Sequence, residues 1–378
     1  MKIIVFYASY GGGHLSAASS IKQYIEEHYL DVDVRLVDCV NYINKGIDKI
    51  STGAYKSITR NAPAVWGEIY KLAKDGPIAN ISATIGKQMS RKILKLFDEF
   101  QPDVVISCHP LGNQMTSYLK QKGKTNCILA TVMTDFASHN QWLVGNEYVN
   151  HIFVSHEGMK REIISKGIPE SKVHATGIPL SNRFLQHFDR AEIKKSFNLD
   201  LNKKTILFFG GGEFGLGKDK TVHILQSFIE NIGSTYQIIA IAGKNEKMQE
   251  KFNSIVKENN AESNVFVTGF TNQVPELMSI SDLVVTKPGG LTTTESLASG
   301  LPMIVINPIP GQEVENTVFL EDKGVAIWVK DDEESENKIA NILSNPEELA
   351  HMKIRSKLLA KKNSTKDICE TILGKSQI

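Results

Sequence analysis

The stretch from Asp282 to Asn316 limits the possible folds of this chain more than any other. It holds two short apolar runs, Leu283 to Val285 and Met303 to Ile306, and each is typical of a buried parallel strand. Between them lie a Pro-Gly-Gly break and a helical pattern that is predicted to stop at Gly300. Strand, helix and strand in this order predict an open parallel sheet, in which ligands bind at the carboxyl ends of the strands. We therefore expect a binding site in the loops that follow these two runs.

The first of these loops carries groups suited to a phosphate and a ribose. The predicted helix start runs from Gly289 through Gly290 and Leu291 to Thr292, and it offers backbone N–H groups and a positive dipole end to a phosphate. Glu295 can accept hydrogen bonds from two adjacent hydroxyls, as a ribose presents them. The alternative is a capping box, in which Thr292 and Glu295 bond each other's backbone N–H groups. The helix by itself leaves both interpretations open.

The second loop adds three polar side chains, those of Gln312, Glu313 and Asn316. The amides of Gln312 and Asn316 can both donate and accept hydrogen bonds, which suits sugar hydroxyls. Two polar loops at neighbouring strand ends favour a nucleotide-sugar site over a simple helix cap.

This pattern resembles the donor-binding motif of two-domain glycosyltransferases of the GT-B fold. It is most similar to the branch that holds the monogalactosyldiacylglycerol synthases, the diacylglycerol glucosyltransferases and the N-acetylglucosaminyltransferase of the peptidoglycan lipid intermediate. The resemblance covers nearly the whole chain and implies an α/β fold of two Rossmann-like, doubly wound domains facing across a cleft. It also implies that Glu295 holds the ribose of a UDP-sugar and that Pro310-Gly311-Gln312-Glu313 grips the sugar.

Length and composition agree with two soluble domains. The 378 residues exceed what one core usually supports, and 41% hydrophobic and 22% charged residues are ordinary for a globular protein. We place an acceptor-binding domain at 1–180, a linker at 181–203, a UDP-sugar-binding domain at 204–350, and at 351–378 a last helix that in such folds crosses back to the first domain. The net charge of +1 gives no bulk electrostatic attraction to nucleic acid or to a membrane, and we expect no nucleic-acid partner. The sequence shows no membrane-spanning run, no export signal and no CxxC spacing, so we expect a cytoplasmic protein.

A glycine turn follows the first predicted strand and leads to His14. The turn is not the dinucleotide fingerprint, because Ser16 stands where the third glycine should be, so an oxidoreductase is disfavoured. A histidine at such a turn can titrate near neutral pH, although a backbone hydrogen bond at a helix start is the simpler alternative. The Gly-Gly-Gly-His run resembles that of the glycolipid synthases, and we expect Gly12 and Gly13 to contact the acceptor.

Further polar residues lie at the ends of the neighbouring predicted strands. If the strands are parallel neighbours, His109, Asp135 and His139 converge with His14. A zinc site is disfavoured because no HExxH spacing is present, whereas a general base is needed to remove a hydroxyl proton during sugar transfer. For Asp135 a turn cap is the alternative, and for His109 a loop position fixed by its proline neighbour is the favoured one.

The run from Thr134 to Trp142 matches the family pattern as well. The resemblance makes His14 and Asp135 the candidate bases, and spacing does not rank them. It places His139 and Trp142 beside the acceptor.

The second half contains a further glycine loop after the strand predicted at Thr205 to Phe209. The loop nearly matches a P-loop, but Asp219 stands where Ser or Thr must bind magnesium, so an ATPase is disfavoured. The resemblance places Gly211 and Gly212 under the diphosphate. It also implies that the uracil packs near Phe270 and Val274.

Residues 41–97 are rich in lysines and aromatic side chains. Such a segment can lie on an anionic membrane surface, although an ordinary solvated helical layer is the favoured interpretation from the residues alone. In the resembling family this region helps to receive the lipid acceptor.

The resemblance, together with these residues, implies an inverting, metal-independent and cofactor-free transfer of glucose or galactose from a UDP-sugar to diacylglycerol. We expect the enzyme to lie peripherally on the cytoplasmic face of the cell membrane. The alternatives are a UDP-N-acetylglucosamine-dependent transferase to a polyprenyl-linked cell-wall intermediate, a UDP-sugar epimerase or hydrolase, and a non-catalytic nucleotide-sugar sensor.

Overall fold

The computed structural model describes residues 1–9, 12–43, 78–211, 218–330 and 334–375, with the backbone alone for 78–88 and 218. The chain forms two compact units. The first holds the N-terminal part as far as Asn182 together with the C-terminal segment from Lys361, and the second holds Arg183–Ala360. Each unit contains a six-stranded sheet in the described part of the chain, and every neighbouring pair of strands is parallel.

The sheet of the first unit has the strand order β2-β1-β3-β4-β5-β6. Its strands are β1 (Lys2–Tyr7), β2 (Asp33–Asp38), β3 (Val104–Ser107), β4 (Ile128–Val132), β5 (His151–Phe153) and β6 (Val173–His174). Its helices are α1 (Gly13–His28), α2 (Cys39–Ile43), α3 (Ile78–Phe100), α4 (Pro110–Gln121), α5 (Glu157–Ser165) and, near the C-terminus, α14 (Ser364–Leu373). Short 3₁₀ helices lie at Asn140–Leu143, Asn146–Tyr148, Glu170–Lys172 and Asn182–Leu185.

Helices cover both faces of this first sheet, so its strands are apolar on both sides. Side chains of a strand alternate between the faces. Ile4 and Phe6 pack in one core cluster, whereas Ile3 and Val5 pack in the other. This two-sided burial explains why the strands appear in the sequence as continuous apolar runs.

The last helix, α14, belongs to the first unit. Ile368 and Cys369 share a core cluster with Ile21 of α1. The Thr365 hydroxyl donates to the Leu180 carbonyl at 2.8 Å and accepts from the Leu180 N–H at 2.8 Å. The C-terminal segment therefore completes the core against which α1 packs.

The second unit repeats the doubly wound pattern with the strand order β12-β11-β10-β7-β8-β9. Its strands are β7 (Lys204–Phe209), β8 (Tyr236–Ile241), β9 (Val265–Thr268), β10 (Leu283–Thr286), β11 (Met303–Ile306) and β12 (Ala326–Val329). Its helices are α6 (Arg190–Ser196), α7 (Lys218–Asn231), α8 (Glu246–Glu258), α9 (Val274–Ile280), α10 (Gly290–Ala298), α11 (Gln312–Asp322), α12 (Ser335–Ser344) and α13 (Pro346–Leu359).

Most of the segment that we predicted as a linker is attached to the second unit. Arg183 donates two hydrogen bonds to the Glu276 carboxylate, at 2.8 and 3.1 Å. Arg190 donates to the carbonyl of Ile280 at 2.9 Å. These arginines fix the entry of the chain into the second unit.

None of the described helices is both long and apolar enough to cross a membrane.

Candidate active site

Each sheet has a topological switch point, where successive strands are added on opposite sides of a central strand. In the first unit it lies between β1 and β3, and in the second between β7 and β10. Ligands of doubly wound sheets bind at the carboxyl ends of the strands at such points. The loops after β1 and β3 lead to His14 and His109, and the loop after β10 leads to Glu295. The strand order thus gives each unit one candidate half-site.

His14 is the second residue of α1, which begins at Gly13 with Gly12 as its N-cap. A Cβ placed on Gly12 would meet no atom within 4 Å, so the turn faces open space there. Because Gly12 has no side chain, the N-cap of α1 makes no side-chain hydrogen bond to the first N–H groups of the helix. The preceding Gly11 lies outside the described residues.

The imidazole of His14 is held through its Nδ1 atom. Nδ1 lies 2.7 Å from the carbonyl oxygen of Cys108 and 3.1 Å from Oγ1 of Thr134. A carbonyl oxygen only accepts hydrogen bonds, so Nδ1 carries the proton and Nε2 of the neutral ring is an acceptor. Burial lowers the pKa of His14 to about 4, against a weaker opposing effect of the Cys108 carbonyl. The ring is therefore neutral at physiological pH and can accept a proton at Nε2.

His109 lies against His14, as we expected from parallel neighbouring strands. The two rings meet edge to face with their centroids 5.0 Å apart. His109 is the N-cap of α4, and its Nδ1 accepts a hydrogen bond from the Leu111 N–H at 3.2 Å. Burial, together with the charges of His14 and His139, holds the pKa of His109 well below its usual range. His109 is thus the N-cap of a helix that begins at Pro110, where the favoured alternative had a loop residue fixed by that proline, and it also forms one wall beside His14.

Asp135 follows directly after Thr134, whose hydroxyl contacts His14. Both residues are buried, with exposed fractions of 6% for Thr134 and 7% for Asp135. The structure thus places the two candidate bases at the same edge of the first sheet, His14 after β1 and Asp135 after β4, on either side of β3.

The acceptor contact that we predicted for Trp142 needs correction. Trp142 is 1% exposed and belongs to the core cluster of the first unit. Its ring centroid lies 6.0 Å from that of the half-buried His139. An enclosed indole cannot contact a lipid or sugar, so its role is to pack behind His139.

Helix α10 begins within the start that we predicted at Gly289 to Thr292, but Thr292 is not its N-cap. Its first residue is Gly290, its N-cap is Gly289, and no side chain caps it. Thr292 is therefore inside the helix and cannot form a capping box with Glu295. The N–H groups of the first turn remain available to an anion.

Glu295 is a half-buried carboxyl group that makes no hydrogen bond or ion pair within the described part of the chain. Burial raises its pKa to about 8. Such a group is costly unless hydrogen bonds reach its oxygens. This arrangement suits a ligand that presents two adjacent hydroxyls. It favours the interpretation of Glu295 as a ribose contact over its interpretation as part of a capping box.

Helix α11 carries the second polar loop and begins at Gln312, after Gly311. Gly311 has φ +99° and ψ −123°, a backbone conformation that essentially only glycine adopts. Oε2 of Glu313 accepts a hydrogen bond from the Ile309 N–H at 2.7 Å. Its Oε1 lies 3.9 Å from the position that a Cβ on Gly289 would take. Glu313 thus approaches the α10 loop, and Gln312 lies half-buried at the helix start.

The sugar contact that we predicted for Asn316 also needs correction. Its side chain is 0% exposed, and its Nδ2 donates to the Pro288 carbonyl at 2.9 Å. An enclosed amide cannot reach a ligand, so Asn316 ties helix α11 to the loop that begins α10. It positions the two polar loops relative to one another.

Lys287 is a site residue that the sequence analysis missed. It follows β10 directly and is half-buried. Burial lowers the pKa of Lys287, and the nearby Glu313 carboxylate opposes this shift. Burial likewise raises the pKa of Glu313, and the charge of Lys287 opposes that shift. The two groups therefore form a coupled pair beside the start of α10. Its place immediately after a strand at the switch point is the signal that could have identified it.

The remaining predicted donor residues lie around the ends of β7 and β9. Gly211 has φ +90°, while Gly212 and the rest of that loop to residue 217 lie outside the described residues. Phe270 is 61% exposed, with Nζ of Lys244 at 4.9 Å from its ring centroid. Val274 is the half-buried first residue of α9. An exposed ring beside a cation can stack on a base.

The predicted basic and aromatic segment at 41–97 lies largely outside the described side chains. In the described ranges, no group of three or more His, Cys, Asp or Glu residues is arranged to hold a metal ion.

Comparison with known proteins agrees with the division of the chain into two units. Residues 14–180 match the sequence model of the monogalactosyldiacylglycerol (MGDG) synthases, and residues 189–358 match that of the glycosyl transferases group 1. The chain is 29% identical over 388 residues to the processive diacylglycerol beta-glucosyltransferase of Bacillus subtilis (strain 168), covering 100% of this chain and 96% of that relative. It is 29% identical over 374 residues to the enzyme of the same name from Staphylococcus carnosus (strain TM300), covering 98% and 92%.

Solved structures show the same fold at low identity. Acinetobacter baumannii MurG matches with a TM-score of 0.65 and 13% identity over 98% of both chains. Anabaena HepE in complex with UDP matches with a TM-score of 0.57 and 15% identity, over 98% of this chain and 99% of that chain. The UDP-GlcNAc 2-epimerase of Neisseria meningitidis bound to UDP-GlcNAc matches with a TM-score of 0.63 and 14% identity, over 99% and 100%.

The two doubly wound units and the half-site at each switch point define a two-domain α/β glycosyltransferase of the GT-B type. Within that class, the N-terminal part of the chain matches the monogalactosyldiacylglycerol synthases, and the whole chain is similar to the diacylglycerol glucosyltransferases. The resemblance in the sequence motifs and this classification agree.

Proposed function

We propose that the protein transfers a hexose from a UDP-sugar to the free hydroxyl of diacylglycerol, with inversion at the anomeric carbon. The observation that carries the proposal is the state of His14, a neutral imidazole whose Nδ1–H is fixed on the Cys108 carbonyl. This leaves Nε2 as a proton acceptor at the switch point of the first unit. The names of the relatives, diacylglycerol beta-glucosyltransferases, support the lipid acceptor and favour glucose as the sugar.

In the proposed reaction the acceptor oxygen attacks the anomeric carbon as the bond from that carbon to the diphosphate oxygen breaks. The hydroxyl proton passes to a base, for which His14 and Asp135 are the candidates. One displacement inverts the anomeric centre, and UDP leaves with the bonding electron pair. The negative charge that develops on UDP is stabilised by the free N–H groups at the start of α10 and by Lys287.

We assign the donor contacts within the second unit. Glu295 accepts hydrogen bonds from the two ribose hydroxyls, and Phe270 packs on the uracil. Gln312 and Glu313 contact the hexose, and Asn316 holds their helix in place. In the first unit, Gly12, Gly13 and His139 contact the acceptor.

We further propose that the reaction needs no resident metal or cofactor and takes place at the cytoplasmic face of the cell membrane. The cations and helix N–H groups of the second unit supply the positive charge that a metal supplies in other transferases.

The first experiment supplies radiolabelled UDP-glucose or UDP-galactose with diacylglycerol in mixed micelles that contain EDTA. We expect label in the organic extract with one donor, and the donor identifies the sugar. His14→Gln and Asp135→Asn are assayed in parallel, with the exposed Glu336→Gln as a matched surface control.

Three results would contradict the proposal. Label that stays in the aqueous phase as free sugar or an altered nucleotide sugar would indicate a hydrolase or an epimerase, whose fold this chain shares. Transfer to diacylglycerol that requires a divalent cation would refute the metal-independent mechanism. Wild-type turnover in both variants would refute the assignment of the base.

A further inference from the structure

Two histidines hold the residues on either side of Asp135. The Thr134 hydroxyl lies 3.1 Å from Nδ1 of His14. On the other side, Nε2 of His156 lies 3.0 Å from the carbonyl oxygen of Phe136. His156 lies between β5 and α5, at the same edge of the first sheet as the two candidate bases. The proposed reaction gives this second histidine no role.

The hydrogen bonds of His156 fix where its ring carries a proton. His156 is the N-cap of α5, and its Nδ1 accepts a hydrogen bond from the Met159 N–H at 3.1 Å. A ring nitrogen that accepts a hydrogen bond has no proton of its own, so the proton of the neutral ring is on Nε2. Nε2–H therefore donates to the Phe136 carbonyl. One ring thus joins the start of α5 to the loop that follows β4.

Packing orients the same imidazole. The ring of Phe136 stacks on that of His156, with the centroids 6.2 Å apart and an angle of 14° between the planes. On the side of the helix, a Cβ on Gly158 would lie 3.0 Å from Nδ1 of His156, so a side chain at this position would displace the ring. The imidazole is therefore held between Phe136 and the first turn of α5.

Helix α5 holds the same loop at a second point. Ser138 is 1% exposed, and its hydroxyl donates to Oε1 of Glu162 at 2.5 Å. Nζ of Lys166, the C-cap of α5, donates to the Ser138 hydroxyl at 3.2 Å and to Glu162 at 2.8 Å. The next residue is His139, which we assign to the acceptor. Helix α5 thus supports the loop beside Asp135 and again beside His139.

A helix cap alone does not explain the histidine. Capping needs one side-chain acceptor near the main chain, and Ser, Thr, Asp or Asn supply it with shorter side chains. The imidazole adds a donor on its far side, and that donor reaches the residue next to Asp135. This second hydrogen bond serves the loop and not the helix.

We propose that His156 is a positioning residue for sugar transfer. Its Nε2–H holds the Phe136 carbonyl and thereby sets the position of the Asp135 carboxyl relative to the acceptor hydroxyl. This inference deepens the proposed function and rests on it, because the role of Asp135 belongs to that proposal. Donor binding should not depend on His156, since we assign the donor contacts to the second unit.

Two substitutions separate the cap from the hydrogen bond to the loop. His156→Asn keeps an acceptor near the position of Nδ1 but has no donor that reaches as far as Nε2. His156→Gln keeps a donor amide at about that reach, but glutamine is not among the preferred N-caps. His187→Asn removes an exposed histidine of the second unit and is the matched control. Circular dichroism and urea titration establish whether each variant is folded and how stable it is.

The two variants should lose different properties. In the mixed-micelle assay His156→Asn should lower kcat by about 10- to 100-fold, since displacement of a reacting group by about 1 Å can cost about 100-fold. Its urea midpoint should stay near that of the wild type. His156→Gln should lower the urea midpoint and keep kcat near the wild-type value. The donor Kd, measured by calorimetry with an unreactive UDP-sugar, should be unchanged in both, and His187→Asn should match the wild type throughout.

Hydrogen exchange followed by mass spectrometry reports on the loop without any catalysis. The amides of residues 134–139 should exchange faster in His156→Asn than in the wild type, and at the wild-type rate in His156→Gln. If the wild-type chain transfers no sugar but exchange shows this pattern, the proposed function fails, whereas the attachment of the loop by His156 stands.

Wild-type kcat in folded His156→Asn would overturn the inference, as would an equal loss of kcat in both variants or unchanged exchange of residues 134–139 in His156→Asn. If His156→Asn does not fold, Gly158→Ala takes its place, because the added methyl group crowds Nδ1 and displaces the ring while the histidine remains. Gly158→Ala should lower kcat with an unchanged donor Kd, and wild-type kcat in this variant would then overturn the inference.

Discussion

Replacement of Glu295 by glutamine should abolish the pH dependence of donor binding. In the free protein burial raises the pKa of Glu295 to about 8, so only about one tenth of the molecules carry the carboxylate at pH 7. Two ribose hydroxyls donate hydrogen bonds, and they bind the carboxylate better than the neutral acid. Donor binding must therefore release a proton below this pKa.

The expected magnitude follows from that pKa. Between pH 6 and pH 8 the apparent Kd for the donor should fall about tenfold per pH unit, and above pH 8 it should level off. Hydrogen bonds to a charged group contribute about 1.5–3 kcal/mol, so at pH 9 Glu295→Gln should bind the donor about 10- to 150-fold more weakly than the wild type. At pH 7 the deficit should be about tenfold smaller, because the wild-type protein must first lose its proton.

Isothermal titration calorimetry with an unreactive UDP-sugar and no acceptor measures both quantities. Titrations in buffers of different ionisation enthalpy give the number of protons released on binding. Glu336→Gln, which removes an exposed carboxylate from the same unit, is the control for net charge and should behave as the wild type does. A flat pH dependence in the wild-type protein, or an unchanged slope in Glu295→Gln, would refute the assignment of Glu295 to the ribose.

Three further substitutions test the site. Because burial lowers the pKa of His14 to about 4, the wild-type kcat at saturating substrates should stay constant as the pH is lowered until it approaches that value. His14→Gln should lower kcat by about 10²- to 10⁴-fold. A fall in wild-type kcat centred near pH 6.5 would contradict the neutral, buried imidazole. Asn316→Ala removes the hydrogen bond to the Pro288 carbonyl and should lower the free energy of unfolding, measured by urea titration, by about 1–3 kcal/mol. It should also raise the donor KM. An unchanged KM would show that the two loops keep their arrangement without this hydrogen bond. Lys287→Gln leaves Glu313 without its cation and should raise the donor KM and lower kcat together in steady-state assays. The control Lys338→Gln, on the surface of the same unit, should leave both constants unchanged. An increase in KM with unchanged kcat would exclude a role for Lys287 in leaving-group stabilisation.

The sequence predicted the half-site positions because they depend on strand order. Continuous apolar runs are typical of strands buried on both faces, and glycine turns after them indicate where helices begin. From these alone, His14 and Glu295 were expected at carboxyl ends of strands, and His14 was expected beside His109. The observed sheet orders place them there.

The sequence did not predict which polar side chains are enclosed. The Thr-x-x-Glu spacing at Thr292 is a local signal for a cap, but the start of α10 is set by the path of the chain after β10, and that path starts the helix at Gly290. The family resemblance placed Trp142 at the ligand, and a polar loop placed Asn316 there, whereas packing by residues distant in the sequence encloses both. Lys287 was missed because its importance depends on Glu313, a neighbour in space from another loop.

The position of α14 has a consequence for the order in which this protein folds during synthesis. The part of the second unit that the structure describes is one continuous segment, Arg183–Ala360, and it can complete its core once residue 360 has left the ribosome. The first unit cannot, because Ile368 and Cys369 belong to the core around α1, and the Tyr29 hydroxyl donates to the Gly374 carbonyl at 2.6 Å. Domains usually fold in the order in which they are synthesised. Here the N-terminal unit, with His14 on its first helix, must wait for α14, which is synthesised after the described part of the second unit. A chain that stops at residue 360 therefore has the core of its second unit but lacks part of the core of its first unit.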